Sequence, residues 1–456
     1  MRSVSVIKQP INLLLLTVLL FCGMVTNAQE NSPYSRYGWG NLVPSTPIVT
    51  RGMGGLTTGY VDFDERYDVK QGVPRYLKPQ SINFLNPASY ARLRTTSFDI
   101  GFEVENQVLQ ERNVIEKYKA TFANISYLQL GVPISRKRNF SMVLGLRPIS
   151  RINYQIQSYA REINPQTGNS IDSTLTLYQG KGGSYQAYMG LGKGFGNFSI
   201  GANLGYFFGT KDFGTRKSFI NDSVVYYKGN YQTKINFGGL SINTGIQYRA
   251  KLSKDIRLVV GATATFSSEY NANRDIIRET FEYDASGGTF IRDSVYREEG
   301  VQGTVIFPST YSGGFTIERQ DKWMLGAEYS TTSWDDFRLY DAKDSVGSTY
   351  MFRVGGQFIP SAYGSNYWGR VTYRAGFNLG TDYIRYGGEE LKKYTVTMGF
   401  GFPVRPNRFS NQFTMLNLGI EFGRRGTPET RLQENMFRIS LGATLSDLWF
   451  VKRKYD

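Results

Sequence analysis

Histidine is absent from the 456-residue sequence, and cysteine occurs only once, as Cys22. The absence of imidazole excludes histidine general bases, histidine metal ligands and Ser-His or Cys-His catalytic pairs. A single cysteine excludes an internal disulfide and a thiolate metal cluster. Adjacent carboxylates such as Glu298-Glu299 remain, but neighbours in an extended chain point in opposite directions. We therefore predict no enzyme activity, no cofactor and no metal site.

Long hydrophobic runs are also missing. After residue 28, no stretch reaches the ~20 apolar residues that a membrane-spanning helix needs. The sequence is instead rich in Gly (50), Tyr (32) and Phe (30). Aromatic residues favour strands, and glycine favours the turns between them. This composition predicts an all-β protein.

Residues 1–28 have the features of a secretory signal peptide. Arg2 and Lys8 give a positive start, an apolar run follows, and small residues precede Gln29. Lipidation at Cys22 is disfavoured because the bulky Phe21 stands where a small residue is required. The chain is therefore expected to be exported. Its net charge of +15 comes from dispersed residues, so we predict contact with anionic lipid headgroups and no nucleic-acid partner.

Period-two alternation of apolar with polar or glycine residues recurs in segments of roughly ten residues. Its clearest example runs from Phe437 to Leu445, and similar segments begin near residues 98, 198, 371, 394 and 416. Weaker candidates bring the number to about fourteen strands between residues 96 and 450. These weaker candidates lie at 120–132, 139–150, 184–194, 232–249, 256–270, 302–318, 322–332 and 349–360.

Two features favour a transmembrane antiparallel β-barrel over a soluble sandwich, which would show the same alternation. One face of the strands is aliphatic or aromatic and the other is polar, as lipid outside and a polar lumen inside require. Connections also alternate in length, as in outer-membrane barrels. The short ones are 194–197, 251–255 and 320–321, and the long polar ones are 159–182, 210–229 and 271–301.

Residues 29–95 differ from the rest of the chain. They contain six prolines and a glycine-rich stretch, and they lack sustained alternation. Because proline cannot donate a hydrogen bond to a strand ladder, this stretch should not form barrel wall. We predict a plug, or hatch, folded into the lumen; a periplasmic extension is the alternative.

Several motifs in this stretch resemble the FadL/TodX family of outer-membrane channels for long-chain fatty acids and other hydrophobic compounds. They are Ser35-Arg36-Tyr37-Gly38-Trp39-Gly40, Arg51-Gly52-Met53-Gly54-Gly55, Asp62 with Asp64, and Asn86-Pro87-Ala88 directly before the first strand. The resemblance implies a distant branch of that family, with a fourteen-strand barrel and a hatch. It marks Gly52, Gly54, Gly55, Asn86, Pro87 and Ala88 as the plug motif. From the residues alone, the glycine run also fits a linker and Asn-Pro-Ala fits a turn.

The resemblance implies passive uptake of a hydrophobic small molecule, such as a long-chain fatty acid, in the outer membrane of a Gram-negative-type bacterium. The family releases its ligand sideways where one strand is kinked, and Pro148 lies in the third predicted strand. Proline removes a ladder bond, so it is the candidate for such a gap; a strand end or bulge is the alternative. Two other functions stay open. One is a non-transporting barrel that docks or assembles exported proteins through its long outer loops, and the other is a general porin.

The predicted organisation therefore has four parts. Residues 1–28 are the signal peptide, 29–95 the plug, 96–450 the barrel and 451–456 a short basic tail. The expected partners are a hydrophobic small molecule or fatty acid, outer-membrane lipid and proteins at the long outer loops.

Overall fold

The computed structural model describes residues 32–62, 79–111, 117–163, 166, 170–220, 227–284, 286, 288–404, 412–427, 430 and 432–449. The predicted signal peptide and the C-terminal tail lie outside these residues. No helix in the described part of the chain is long and apolar enough to cross a membrane.

Fourteen antiparallel strands form a closed barrel, as the alternation predicted. In chain order they are β1 (Thr96–Glu111), β2 (Lys117–Ser135), β3 (Phe140–Ile163), β4 (Ser170–Phe195), β5 (Phe198–Phe219), β6 (Lys228–Lys251), β7 (Ile256–Thr265 and Ser268–Tyr283), β8 (Thr289–Phe307 and Thr310–Arg319), β9 (Trp323–Thr332), β10 (Thr349–Phe358), β11 (Thr372–Tyr386), β12 (Glu389–Val404), β13 (Phe413–Arg425) and β14 (Leu432–Asp447). The barrel closes where β14 pairs with β1, from Leu432↔Glu111 to Asp447↔Thr96.

Strands β7 and β8 each consist of two segments. The same strand, β6, pairs with both segments of β7, and both segments of β8 pair with β7. Each pair of segments therefore acts as one strand of the barrel.

Short elements accompany the barrel. Residues Asn41–Leu42 and Arg338–Leu339 form two-residue strands, and Ile48–Arg51 (α1) and Tyr367–Arg370 (α2) form single helical turns. The 3-10 turns are Pro33–Arg36, Pro87–Arg92 and Trp334–Asp336.

The outward face of the wall is apolar. Its exposed side chains include Phe102, Leu144, Met189, Leu204, Ile246, Phe315, Leu325, Phe377, Val396 and Leu441. The buried face carries polar residues such as Glu103, Glu328 and Arg438. A barrel with this distribution presents its apolar belt to lipid and keeps polar groups in its interior.

Strands β3 to β8 have 22 to 29 strand residues each, against 10 to 19 in the other strands, and the additional length lies on the side away from Thr96. β9 and β10 have ten residues each, which corresponds to a rise of about 25 Å for tilted strands. Beyond that level, the second segment of β7 adds sixteen residues, or about 40 Å. We call this six-stranded extension the outer wall.

The outer wall corrects one prediction. Much of 159–182, 210–229 and 271–301 was expected to be long loops, but most of it is strand. Above the lipid level both faces of a strand meet water or other polar groups, so the apolar alternation that marks a spanning strand disappears. The short connections were predicted correctly.

Candidate functional site: the interior and its N-terminal segment

The N-terminal segment, which we define as residues 32–62 and 79–95, is buried against the polar face of the barrel strands. Within it, α1 ends at the glycine-rich motif. Gly54 and Gly55 have φ values of +77° and +75°, a left-handed conformation that only glycine adopts without steric cost. The amide of Gly55 donates to the carbonyl of Thr50 at 2.7 Å, which closes the turn.

The glycines of this motif also permit close backbone contact with the wall. A Cβ on Gly52 would lie 2.6 Å from the Cα of Gly399 in β12, and one on Gly54 would lie 2.8 Å from the carbonyl oxygen of Val354 in β10. The amide of Gly54 donates to the hydroxyl of Thr397 at 2.9 Å. These contacts fix the motif in place, unlike those of a flexible linker.

Asn86, Pro87 and Ala88 begin the 3-10 turn Pro87–Arg92. The side chain of Asn86 caps this turn by accepting from the amide of Ala88 at 3.1 Å, and its Nδ2 donates to the carbonyl of Thr58 at 2.6 Å. Pro87 lies so close to Gly201 of β5 that a Cβ there would be 2.3 Å from its carbonyl. The motif therefore joins the two halves of the N-terminal segment and packs on the wall.

A carboxylate that the sequence analysis did not single out connects the segment with two strands. Glu103 of β1 accepts from Arg51 of the segment at 2.5 Å and from Arg151 of β3 at 2.5 Å. The hydroxyl of Ser126 also donates to Glu103, at 2.9 Å. The side chains of Arg51 and Glu103 are fully buried.

A second cluster continues this network. Arg438 of β14 donates to Glu105 at 2.8 Å and to Glu421 at 2.6 Å. Together with Arg51, Arg151 and Glu103, these groups bring three positive and three negative charges together. In the sequence, Glu103 and Glu105 both fall on the alternate positions of β1 that carry polar residues, which predicts that they face the lumen. The sequence alone does not give their partners.

Another buried carboxylate, Glu328 of β9, holds the middle of the segment. It accepts from the amides of Thr57 and Thr58 at 2.6 and 2.8 Å. It also pairs with Arg353 of β10 at 3.0 Å. Charge-assisted bonds of this kind are stronger than neutral ones and fix the backbone of the segment.

An aromatic cluster surrounds Trp39. Its indole nitrogen donates to the hydroxyl of Ser184 at 2.7 Å, and its ring lies 4.6 Å from that of Phe237. The buried ammonium of Lys211 lies 5.7 Å from the Trp39 ring and donates to the carbonyl of Gly38. Further rings that pack here are Phe207, Tyr270, Phe307, Trp334, Phe337 and Tyr383.

A cavity of about 360 Å³ lies between this cluster and the N-terminal segment. One side is lined by aromatic rings: Phe207, Tyr270, Phe307, Trp334 and Tyr383. The rest of the lining is mostly polar. It includes the cations Arg147 and Lys393, and the carboxylates Glu328, Asp382 and Glu421, each of which already pairs with an arginine. Arg147 donates to Gln186 at 2.8 Å, and neither Arg147 nor Lys393 forms an ion pair within the described residues.

Pro148 lies inside β3, at a register shift. It pairs with Tyr185, and the shift falls between Pro148 and Ser150. On the other side of β3, pairing with β2 stops two residues earlier, at Leu128↔Leu146. Above this point no described residues of β2 and β3 pair with each other, and Asn41–Leu42 pairs with Ser150–Arg151 of β3 instead. We call this space the β2–β3 gap.

The described residues contain no group of three or more His, Cys, Asp or Glu side chains that is placed to hold a metal ion.

Comparison with solved structures shows a shared fold. The toluene transporter TodX of Pseudomonas putida has 14% sequence identity and a TM-score of 0.53, with 89% of this chain and 99% of that chain covered. The monoaromatic hydrocarbon channel CymD has 14% identity and a TM-score of 0.50, with 90% and 98% covered. No curated protein sequence matches the chain.

A likeness at this level of identity concerns architecture alone. The family assignment comes from the sequence, because the model of one family matches residues 7–456, nearly the whole chain. The chain belongs to the BamG family.

Proposed function

We propose that the protein is an outer-membrane channel for passive uptake of hydrophobic small molecules, with residues 29–95 as a plug in its lumen. The observation that carries this proposal is the cavity of about 360 Å³ with an aromatic wall beside the N-terminal segment. Its size lies within the range of small-molecule sites. The apolar belt of the barrel supports an outer-membrane location.

The polar side of the cavity supports a ligand with a carboxylate, such as a long-chain fatty acid. Arg147 and Lys393 line the cavity, and neither forms a direct ion pair in the described part of the chain, because Asp382, the carboxylate with the strongest electrostatic effect on Lys393, pairs with Arg425 at 3.2 Å. A half-buried cation without a direct ion pair is incompletely neutralised, so an anionic ligand group would be favourable there. An amphipathic acid satisfies both the aromatic and the cationic side.

Binding of palmitate and of toluene to the purified barrel tests this assignment. Lys393→Met should weaken palmitate binding about 10- to 100-fold, because a charge-assisted bond contributes about 1.5–3 kcal/mol, and should leave toluene binding unchanged. Lys392→Met is the matched control, since Lys392 is the exposed neighbour of Lys393 on the same strand. Equal palmitate affinities of the two variants would refute the proposed carboxylate site. If the unaltered protein binds neither ligand, the channel proposal is refuted.

We also propose the β2–β3 gap as a lateral exit, with Pro148 as the residue that ends wall pairing. The loss of pairing at Leu128↔Leu146 and the adjacent register shift support it. Palmitate uptake into reconstituted vesicles is the test. Pro148→Ala restores a backbone donor and should slow uptake, and an unchanged rate would leave Pro148 as a bulge residue only.

A second candidate function, docking of exported proteins, is favoured by the outer wall. This wall projects about 40 Å beyond the lipid level, which transport of a small molecule does not require. Its β7–β8 hairpin exposes Ile291, Val295 and Tyr296 above the level of the apolar belt. Exposed apolar side chains outside the membrane are a feature of protein-contact surfaces.

A further inference from the structure

The outer wall has two lateral edges, and the chain treats them differently. β3 forms one edge, beside the β2–β3 gap, and β8 forms the other. At the base of each edge a two-residue strand of this same chain is paired: Asn41–Leu42 on β3 and Arg338–Leu339 on β8. Both edges are therefore able to accept an additional strand.

The β8 edge is protected against further pairing. Between residues 289 and 301 it has three register shifts. It also carries five charged residues there: Arg292, Asp293, Arg297, Glu298 and Glu299. Bulges and charges are the features by which natural edge strands avoid pairing with other chains.

Between residues 153 and 160 the β3 edge has none of these protections. From residue 153 to residue 160 the sequence is Asn-Tyr-Gln-Ile-Gln-Ser-Tyr-Ala, without a charge or a proline. Pairing of β3 with β4 is regular from Ser150 to Glu162. A flat, uncharged edge of this kind is a template for strand addition.

Hydrogen bonds to the N-terminal segment show which backbone groups face the gap. The amide of Val43 donates to the carbonyl of Ile149 at 2.9 Å, and the amide of Ser32 donates to the carbonyl of Asn153 at 3.3 Å. In a strand the N–H and C=O of one residue point to the same side, and this side alternates along the chain. Gln157 and Tyr159 therefore direct their backbone groups toward the gap, and both side chains are exposed.

From these observations we propose that the β3 edge at Gln157–Ala160 is a docking site for an extended segment of a different polypeptide, which adds to the outer wall as an antiparallel strand. This inference rests on the docking function, not on transport. The antiparallel direction continues the pairing of Asn41–Leu42. Tyr159, which is 69% exposed, favours a partner strand with β-branched or aromatic side chains.

A second copy of this chain does not fit the site. Two copies in one membrane are related by an axis along the membrane normal, so both β3 strands run in the same direction. A two-fold axis would place each residue of one β3 strand directly opposite the same residue of the other. In a parallel ladder, however, the residues whose N–H and C=O groups point at the partner strand must be staggered by one position between the two strands. The β8 edge of a second copy is protected, so the partner is another protein.

Photo-crosslinking in intact cells that produce the full chain tests the proposal. The photoreactive amino acid p-benzoylphenylalanine replaces Tyr159 in one strain and Val295, at a register shift of the β8 edge, in another. The expected result is a Tyr159 adduct whose cross-linked peptide is an extended segment of one partner protein. Adding Gln157→Pro should lower its yield at least tenfold because proline removes a gap-facing N–H, whereas Gln157→Ala keeps that N–H and should preserve the yield.

Gln157→Pro leaves the β3–β4 ladder intact, since the N–H of Gln157 points to the gap. If this variant fails to fold, Gln157→Lys replaces it, because a lysine imitates the charged β8 edge and should lower the cross-linking yield by the same factor. The proposal is overturned if Tyr159 yields only lipid adducts or none, or if the proline or lysine variant cross-links as well as Gln157→Ala. A protein adduct at Val295 without one at Tyr159 would overturn the proposed β3 docking site but would support the docking function. Absence of protein adducts at both positions would overturn both.

Discussion

Substitution of Glu103 by glutamine removes the charge that connects the N-terminal segment to the wall. Glu103 accepts from Arg51 and Arg151 at 2.5 Å each, and its side chain is fully buried. With glutamine at this position, the network keeps its three arginines but has only two carboxylates, Glu105 and Glu421, to balance them. Breaking a buried ion pair by removing one partner costs about 3–5 kcal/mol.

The surface pair Arg297–Glu299 is a matched control. Its atoms are also 2.5 Å apart, but the two side chains are 58% and 56% exposed. Pairs in water contribute below about 1 kcal/mol because solvent screens them. Glu299→Gln should therefore have little effect, although the distance between the charges is the same.

Two measurements separate the variants. The first is the free energy of unfolding in urea, followed by tryptophan fluorescence in lipid vesicles. The second is the alkylation rate of a cysteine introduced by Thr50→Cys, a fully buried position of the segment, in a Cys22→Ser background. Release of the segment should raise this rate about 100-fold in Glu103→Gln, the factor that corresponds to about 3 kcal/mol. If Glu103→Gln and Glu299→Gln agree within about 1 kcal/mol and twofold in rate, the reasoning about the buried network is refuted.

Three further predictions concern the segment and the loop above it. Gly54→Ala should lower the free energy of unfolding by about 2–3 kcal/mol, because Gly54 combines a left-handed backbone with a Cβ contact of 2.8 Å. The control is Gly196→Ala, which should cost about 1 kcal/mol because Gly196 has a φ of +59° but nothing within 4 Å. Equal costs of the two substitutions in urea unfolding would contradict this prediction. Hydrogen bonds from Ser348 lower the pKa of Asp335, so the stabilisation they give is present above the usual pKa of about 3.9 and is lost as the pH falls through the lower folded value. Proteolysis of the 333–348 loop should therefore be constant from pH 7 to 5 and accelerate below about pH 4, and Asp335→Asn should remove that acid step. Deletion of residues 29–95 should produce a large steady conductance in planar bilayers if they plug the lumen, and an unchanged conductance would exclude the plug.

The sequence predicted the parts of the fold whose physical cause is local. Alternation along β11 to β14 reports lipid on one face, so strand number and order were predicted correctly. The outer wall escaped prediction because strands such as the second segment of β7 have polar groups on both faces above the lipid level.

The candidate site was predictable only in part. The glycine motif and Asn86-Pro87-Ala88 carry local conformational signals, and the structure gives them defined contacts. The partners of Glu103, Glu328 and Lys211 depend on which strands face each other, which no local pattern contains. For the same reason, the aromatic wall of the cavity could not be assembled from single residues on five separate elements.

The contact between Arg51 and Ser440 has a consequence for biogenesis. These two residues are 3.3 Å apart in space and 389 positions apart in sequence. Ser440 belongs to the last strand, which pairs with the first along the closing seam. This contact forms only after the last strand has joined the first, so the N-terminal segment completes its packing at the final step of barrel assembly.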